Sequence, residues 1–170
     1  MQLSRNFSLE EMLESQSAVR WGFEEQFNPP PIIVNNLKSL CIDVLQPIRD
    51  VLKDSITVTS GYRCPRLNAK LGGAYSIIDG KAVQTSQHCY GLAADIVYTK
   101  KGIKYNGSLA SIIKDLSADP KFKFDQCILE FGTDLNPDWI HISYVEGKNR
   151  MQVLRAYKSG KKTFYKNWKL

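Results

Sequence analysis

The order of its predicted elements assigns this 170-residue chain to the α+β class. Helical patterns come first, whereas β-branched and alternating segments follow in the second half and are joined mostly by short loops. This order predicts N-terminal helices packed on one face of a mainly antiparallel sheet. The length suits a single domain over residues 1–170, because a chain of this size buries a real core.

Helices are predicted where apolar residues recur every three or four positions. The sequence Ser8-Leu9-Glu10-Glu11 is a capping box, with Ser8 as N-cap, and starts a short helix that should end near Ser15. A second helix should begin after three prolines and be kinked or divided by Pro47. The helical segments are expected at 8–15, 31–52, 64–71 (a single turn) and 108–116.

Strands are predicted from short β-branched or alternating runs bounded by turn residues. The run Ile56-Thr57-Val58-Thr59 is the clearest example. Residues 74–85 are expected to form a polar loop around Asp79-Gly80. The segment Ser159-Gly160-Lys161-Lys162 predicts a turn before the last strand. The strands are expected at 56–59, 92–98, 126–131, 139–144, 151–157 and 163–165.

Charge and hydropathy narrow the class of partner. Much of the net charge of +6 lies in a short basic tail from about residue 158, which we interpret as solvated. The sequence carries no nucleic-acid-binding motif, so nucleic acid is the weakest candidate partner. It has no apolar run near the ~20 residues that span a bilayer, and no apolar signal-peptide core. We therefore expect a protein that is made in the cytoplasm and does not insert into a membrane. We also expect it to be a monomer.

The four cysteines do not form a metal or redox motif, because no two have the Cys-x-x-Cys spacing. Cys41 and Cys127 lie in apolar periodic segments and are predicted core residues. Cys64 and Cys89 lie beside polar candidates for a functional site. A disulfide is not favoured without an export signal.

A metal site is the main functional hypothesis. The only two histidines, His88 and His141, both lie in strand-like surroundings, and Asp95 follows His88 by seven residues. Two histidines and a carboxylate are a typical catalytic zinc ligand set with one open position. On one straight strand, His88 and Asp95 would point to opposite faces. Gly91 would interrupt the strand between them, so that both side chains can converge at the sheet. Two structural alternatives remain: Asp95 is hydrogen-bonded at a strand end, or His141 is an ordinary core histidine.

The spacing of these residues resembles a known family. Ser86-x-His88-x-x-Gly91-x-Ala93-x-Asp95, followed by Asp138-x-x-His141, is similar to the zinc D-alanyl-D-alanine carboxypeptidases, and closest to their small phage and prophage branch. Ser60-Gly61-Tyr62-Arg63 matches the segment that carries the family's site arginine. The resemblance extends to about residue 157, although the loop at 74–85 is longer than expected.

The resemblance implies a role for each site residue. One Zn²⁺ per chain would bind His88, Asp95 and His141, while Ser86 and Gln87 would face the substrate or support the ligands. Arg63 would contact a substrate carbonyl or carboxylate, and its structural alternative is a buried ion pair with Asp95 or with the chain's own C-terminal carboxylate.

The general base has two candidates. Asp138 is preferred because it directly precedes the strand of the last histidine. Glu130 is the rival, and its alternative role is a structural salt bridge.

The function that the resemblance implies is a zinc peptidase that cuts D-amino-acid-containing peptides of peptidoglycan. It would be a carboxypeptidase or an endolysin-type endopeptidase, and it would act at the cell wall once released. An inactive metal-binding or wall-binding module of the same fold is the alternative.

Overall fold

A six-stranded sheet forms the centre of the computed structural model, which describes residues 1–160 and 162–170. The strands are β1 (Thr57–Ser60), β2 (Tyr75–Ile78), β3 (Lys81–Gln84), β4 (Ala93–Val97), β5 (Thr99–Lys100), β6 (Ile103–Lys104), β7 (Gln126–Glu130), β8 (Trp139–Ser143), β9 (Gln152–Ser159) and β10 (Lys162–Asn167). The order of strands in the six-stranded sheet is β1-β4-β8-β7-β9-β10, and only its β7–β9 pair is parallel. The predicted α+β class with a mainly antiparallel sheet is confirmed.

The first predicted helix is shorter than expected and is followed by a second short helix. The Ser8 hydroxyl accepts a hydrogen bond from the Glu11 amide at 3.2 Å, which confirms Ser8 as N-cap, but α1 ends at Leu13. A further helix, capped by Ser15, was not predicted, because it is short and buries only Ala18. The helices are α1 (Leu9–Leu13), α2 (Gln16–Trp21), α3 (Pro31–Leu40), α4 (Gln46–Leu52), α5 (Pro65–Lys70) and α6 (Asn106–Leu116), with short 3₁₀ turns at Glu24–Phe27 and Gln87–Tyr90.

Pro47 is accommodated without a break in the helical backbone. A π-helical turn, Cys41–Leu45, joins α3 to α4, and the Gln46 amide donates to the Cys41 carbonyl five residues earlier. Proline lacks the amide hydrogen that an α-helix needs at this position, and the wider turn gives its ring room. The helix over 31–52 therefore continues through Pro47 with a local widening, and the predicted division at Pro47 was wrong.

The predicted polar loop at 74–85 is instead a β-hairpin. Strands β2 and β3 pair in register, from Tyr75 opposite Gln84 to Ile78 opposite Lys81. Asp79 and Gly80 form the turn, and both have positive φ, of 49° and 74°, as two-residue hairpin turns require. The loop prediction was wrong because it weighed polarity above the hairpin signal of an Asp-Gly pair. The turn predicted at residues 159–162 includes Lys161, which lies outside the described residues.

The core lies between the helices and one face of the sheet. Every second residue of the central strands is buried there, and α3, α4 and α6 cover them. Cys41 and Cys127 belong to this core, as predicted, and burial raises the pKa of each thiol to about 12. All four cysteines are buried and unpaired. The residues that the sheet contributes to this core are Ala94, Ile96, Cys127, Leu129, Ile140 and Ile142.

No helix among the described residues has both the length and the apolar character that crossing a bilayer demands.

Candidate metal centre

Two of the three predicted ligands lie opposite each other on neighbouring strands. Asp95 is at the centre of β4 and His141 at the centre of β8, and the antiparallel register pairs them directly. Directly opposed residues project from the same face of a sheet. Their neighbours Ile96 and Ile140 project into the core, so Asp95 and His141 lie on the face away from the helices.

The third ligand reaches the site from a tight turn before β4. His88 lies in the 3₁₀ turn Gln87–Tyr90, which ends at Gly91 with a positive φ of 66°. A Cβ atom on Gly91 would come within 2.7 Å of the Ile33 carbonyl oxygen, so only glycine fits there. The break predicted at Gly91 is therefore present, and it places His88 beside Asp95.

The three ligand atoms have the spacing that a tetrahedral ion requires. His88 Nε2 lies 3.2 Å from His141 Nδ1 and 3.3 Å from Asp95 Oδ1, and the last two atoms are 3.1 Å apart. Ligands at about 2.0–2.1 Å from a tetrahedral zinc ion lie about 3.3 Å from one another. The residues present therefore fit a zinc ion, and they form a group of possible metal ligands.

Hydrogen bonding and burial suit His88 to this role. Its Nδ1 lies 2.7 Å from the Gly61 carbonyl oxygen, which can only accept, so Nδ1 carries the hydrogen and Nε2 presents a lone pair. Burial lowers the pKa of His88. The lowered pKa favours the neutral ring that metal binding requires.

Asp95 connects the ligands to the predicted site arginine. Burial by itself raises the pKa of Asp95, but the imidazoles of His88 and His141 hold it well below its usual value. Its Oδ1 faces the imidazoles, while its Oδ2 accepts from Arg63 Nη2 at 2.9 Å. Arg63 also donates through Nε to the Ser60 hydroxyl at 2.9 Å. The ion pair foreseen as the alternative role of Arg63 is thus present, and Arg63 lines the same cleft as the ligands.

The two candidate bases occupy different places. Glu130 ends β7 on the face of the ligands, is 9% exposed and lines their cleft. Burial raises its pKa to about 7. Asp138 is exposed, precedes β8 and does not line the cleft. The structure thus brings Glu130, and not the preferred Asp138, to the ligands, because strand pairing rather than chain proximity decides which acid faces the site.

The ligands lie in an open cleft of about 610 Å³. Ser86 and Gln87 line it, as the resemblance implies. Residues 71–74 and Thr85, which flank the β2–β3 hairpin, form one wall, and the edge-to-face aromatic pair Phe131 and Trp139 lies on another side.

Tyr165 of β10 is a cleft residue that sequence reasoning missed. It pairs with Ala156, which in turn pairs with Glu130, so the three side chains form a row on one face. No local sequence signal marks Tyr165, since only the strand pairing across β9 brings it to the cleft.

Comparison with known proteins gives one finding. The family described as Peptidase M15 matches residues 5–143, which include the three ligands, Arg63 and both candidate bases. The matched segment ends at the last residue of β8 and does not include Tyr165. No curated protein matches the chain.

Proposed function

The chain belongs to the Peptidase M15 family, and on that premise we propose that it hydrolyses peptide bonds in the D-amino-acid-containing stem peptides of peptidoglycan. Family membership supports a zinc-dependent metallopeptidase that acts on peptidoglycan in general. The observation that carries the proposal is the convergence of two imidazole nitrogens and one carboxylate oxygen, 3.1–3.3 Å apart, in a cleft with an arginine and a buried glutamate.

His88, Asp95 and His141 would hold the metal ion. When bound, zinc supplies Lewis-acid chemistry, by activating water as a nucleophile and polarising the carbonyl group that is attacked. The chain provides two ligands on the sheet and a third on the tight turn before β4, and it leaves one side open to the cleft. A site with three protein ligands and an open position is typical of catalytic rather than structural zinc.

Glu130 is the proposed proton carrier. Its carboxylate accepts a proton from the attacking water and then donates it to the amine of the leaving group, so the two transfers balance. Its burial supports this role, because burial raises its pKa to about 7, where both protonation states are accessible at neutral pH. The exposed Asp138 is the rival, and the variants described in the Discussion distinguish the two.

Arg63 is the proposed stabiliser of the developing negative charge. Its Nη2 and Nε groups are occupied by Asp95 and Ser60, and its Nη1 group has no hydrogen-bond partner among the described residues. These two bonds fix the planar guanidinium beside the ligands before substrate arrives. A fixed donor aimed at a developing oxyanion needs no reorganisation during the reaction.

The walls of the cleft suit a peptide with small apolar side chains. Trp139 and Tyr165 provide flat apolar surface, and Gly72 and Gly73 leave backbone exposed to an extended substrate. Both ends of such a peptide can extend into solvent because the cleft is open. The bond that is cut, at the end of the stem or within it, is what the experiment must identify.

Digestion of purified peptidoglycan, with mass analysis of the released fragments, tests the proposal and identifies the bond. The zinc-loaded chain should release peptides with new amino and carboxyl termini, whereas His88→Ala should release none. The matched control is Asp134→Asn, a substitution outside the cleft. Zinc binding without cleavage would overturn the proposal in favour of an inactive metal-binding or wall-binding module.

A further inference from the structure

A buried carboxylate outside the ligand set is connected to the metal centre. Asp125 directly precedes β7 and is 2% exposed. Its backbone is fixed on both sides, because its amide donates to the Ser143 carbonyl at 2.7 Å and its carbonyl accepts from the Gln152 amide at 3.0 Å. No role in the proposed chemistry explains why this acid is buried.

The Asp125 side chain accepts four hydrogen bonds from the described residues. Arg150 donates to it through Nε at 2.7 Å, through Nη2 at 2.6 Å and through its backbone amide at 3.2 Å. Gln87 donates through Nε2 at 2.7 Å. An ionised carboxylate can only accept, so the NH₂ end of the Gln87 amide must face Asp125.

The orientation of Gln87 determines which nitrogen of His141 carries the hydrogen. With its NH₂ group toward Asp125, the amide presents Oε1 to His141 Nε2 at a distance of 3.3 Å. Gln87 Oε1 and Asp95 Oδ1, which lies 3.1 Å from Nδ1, can both only accept. When a metal ion takes the lone pair of Nδ1, Gln87 therefore holds the ring hydrogen on Nε2. That Nδ1 atom is the one that faces His88 Nε2 and Asp95 Oδ1.

We propose that Asp125 is a positioning residue that acts through Gln87 to hold His141 in the tautomer and ring orientation that bind the metal. This inference depends on the metal centre of the proposed function. The two histidines are thus held in different ways: His88 by a backbone carbonyl, and His141 by a chain of side chains that ends at Arg150. Arg150 fixes the carboxylate and lies beyond the segment that the family matches.

A double-mutant cycle on zinc affinity tests the proposal. Zinc dissociation constants would be measured by chelator competition for the wild type, Asp125→Asn, Gln87→Met and the double variant. Loss of an outer hydrogen-bond partner of a metal ligand weakens binding by about 10–100-fold, and we expect a loss of this size in each single variant. The double variant should be no weaker than Gln87→Met, because Asp125 acts through Gln87.

The matched control is Asp134→Asn, which alters a second aspartate–arginine pair, with Arg155, away from the metal centre. It should keep the wild-type zinc affinity. Unchanged zinc affinity in Asp125→Asn, or losses that multiply in the double variant, would overturn the proposal. A wild type that binds zinc but does not cut peptidoglycan would overturn the proposed function and leave this inference standing.

Nitrogen NMR of the zinc-loaded protein tests the same inference in the wild type, with no substitution. The chain has only two histidines, so the spectrum contains two imidazole rings. We expect His141 to carry its hydrogen on Nε2 and His88 to carry its hydrogen on Nδ1. A hydrogen on Nδ1 of His141 in the zinc-loaded wild type would overturn the inference.

Discussion

The two faces of the six-stranded sheet are made by the same strands and have opposite properties. On the helix-covered face, Ile140 and Ile142 are fully buried in the apolar core. On the open face, His141 lies between them along the chain and contacts Asp95 and Gln87. Because side chains alternate between the two faces, residues that stabilise the core and residues of the metal centre are immediate neighbours in the sequence. Substitutions at neighbouring positions should then affect different measurable quantities.

The largest effect is expected from His141→Ala on the open face. Removal of one of three ligands should abolish stoichiometric zinc binding and reduce peptidoglycan cleavage to background. The free energy of unfolding of the metal-free protein should change much less than in a core variant. Metal analysis and mass analysis of digests measure the first two quantities. A variant that retains one zinc per chain would remove His141 from the ligand set.

Glu130→Gln should reduce kcat by about 10²–10⁴-fold and leave zinc content unchanged, because it removes a proton carrier but no ligand. Asp138→Asn is the matched control, and its kcat should stay within a few-fold of the wild-type value. The reverse pattern, with Asp138→Asn inactive and Glu130→Gln active, would assign the base to Asp138.

Ile140→Ala tests the apolar face one residue from His141. The cavity that it leaves should lower the free energy of unfolding by about 2–5 kcal/mol, as measured in urea. Zinc affinity and activity per folded molecule should stay near the wild-type values, because the open face keeps all its side chains. Loss of zinc binding by the folded variant would show that the two faces are not independent.

Tyr165→Ala should raise KM several-fold with a smaller change in kcat. Its ring lines the cleft but belongs to the outermost strand, away from the three ligands. Tyr165→Phe keeps the apolar ring and should behave like the wild type. A large fall in kcat for Tyr165→Phe would instead assign the hydroxyl a part in the chemistry.

Low pH should reduce the free energy of unfolding by protonating Asp125. Burial by itself raises the pKa of Asp125, but hydrogen bonds from Arg150 and Gln87 hold it below its usual value. A lowered pKa contributes stability that is complete above the unfolded value of about 3.9 and is lost as pH falls through the folded value. Urea unfolding of the metal-free protein between pH 6 and pH 3 should therefore show a smaller acid loss in Asp125→Asn than in the wild type. An equal loss would exclude Asp125 from the acid response.

The sequence was sufficient for the features that depend on local pattern. The helical spacing of apolar residues located the continuous helix over 31–52, and β-branched or alternating runs located the central strands. Residue chemistry made His88, Asp95 and His141 candidate ligands, and the family resemblance favoured that role over their two structural alternatives. Gly91 was identified in advance because a straight strand would send His88 and Asp95 to opposite faces.

Tertiary structure decided what depends on strands that are distant in the sequence. The pairing of β7 with β8 and β9 places Glu130 in the cleft, and the pairing of β9 with β10 adds Tyr165. The contact between Gln87 and Asp125 spans 38 positions and has no local motif. Short-range periodicity determines which face a residue takes on its own strand. Only the assembled register determines which residues of other strands it meets there.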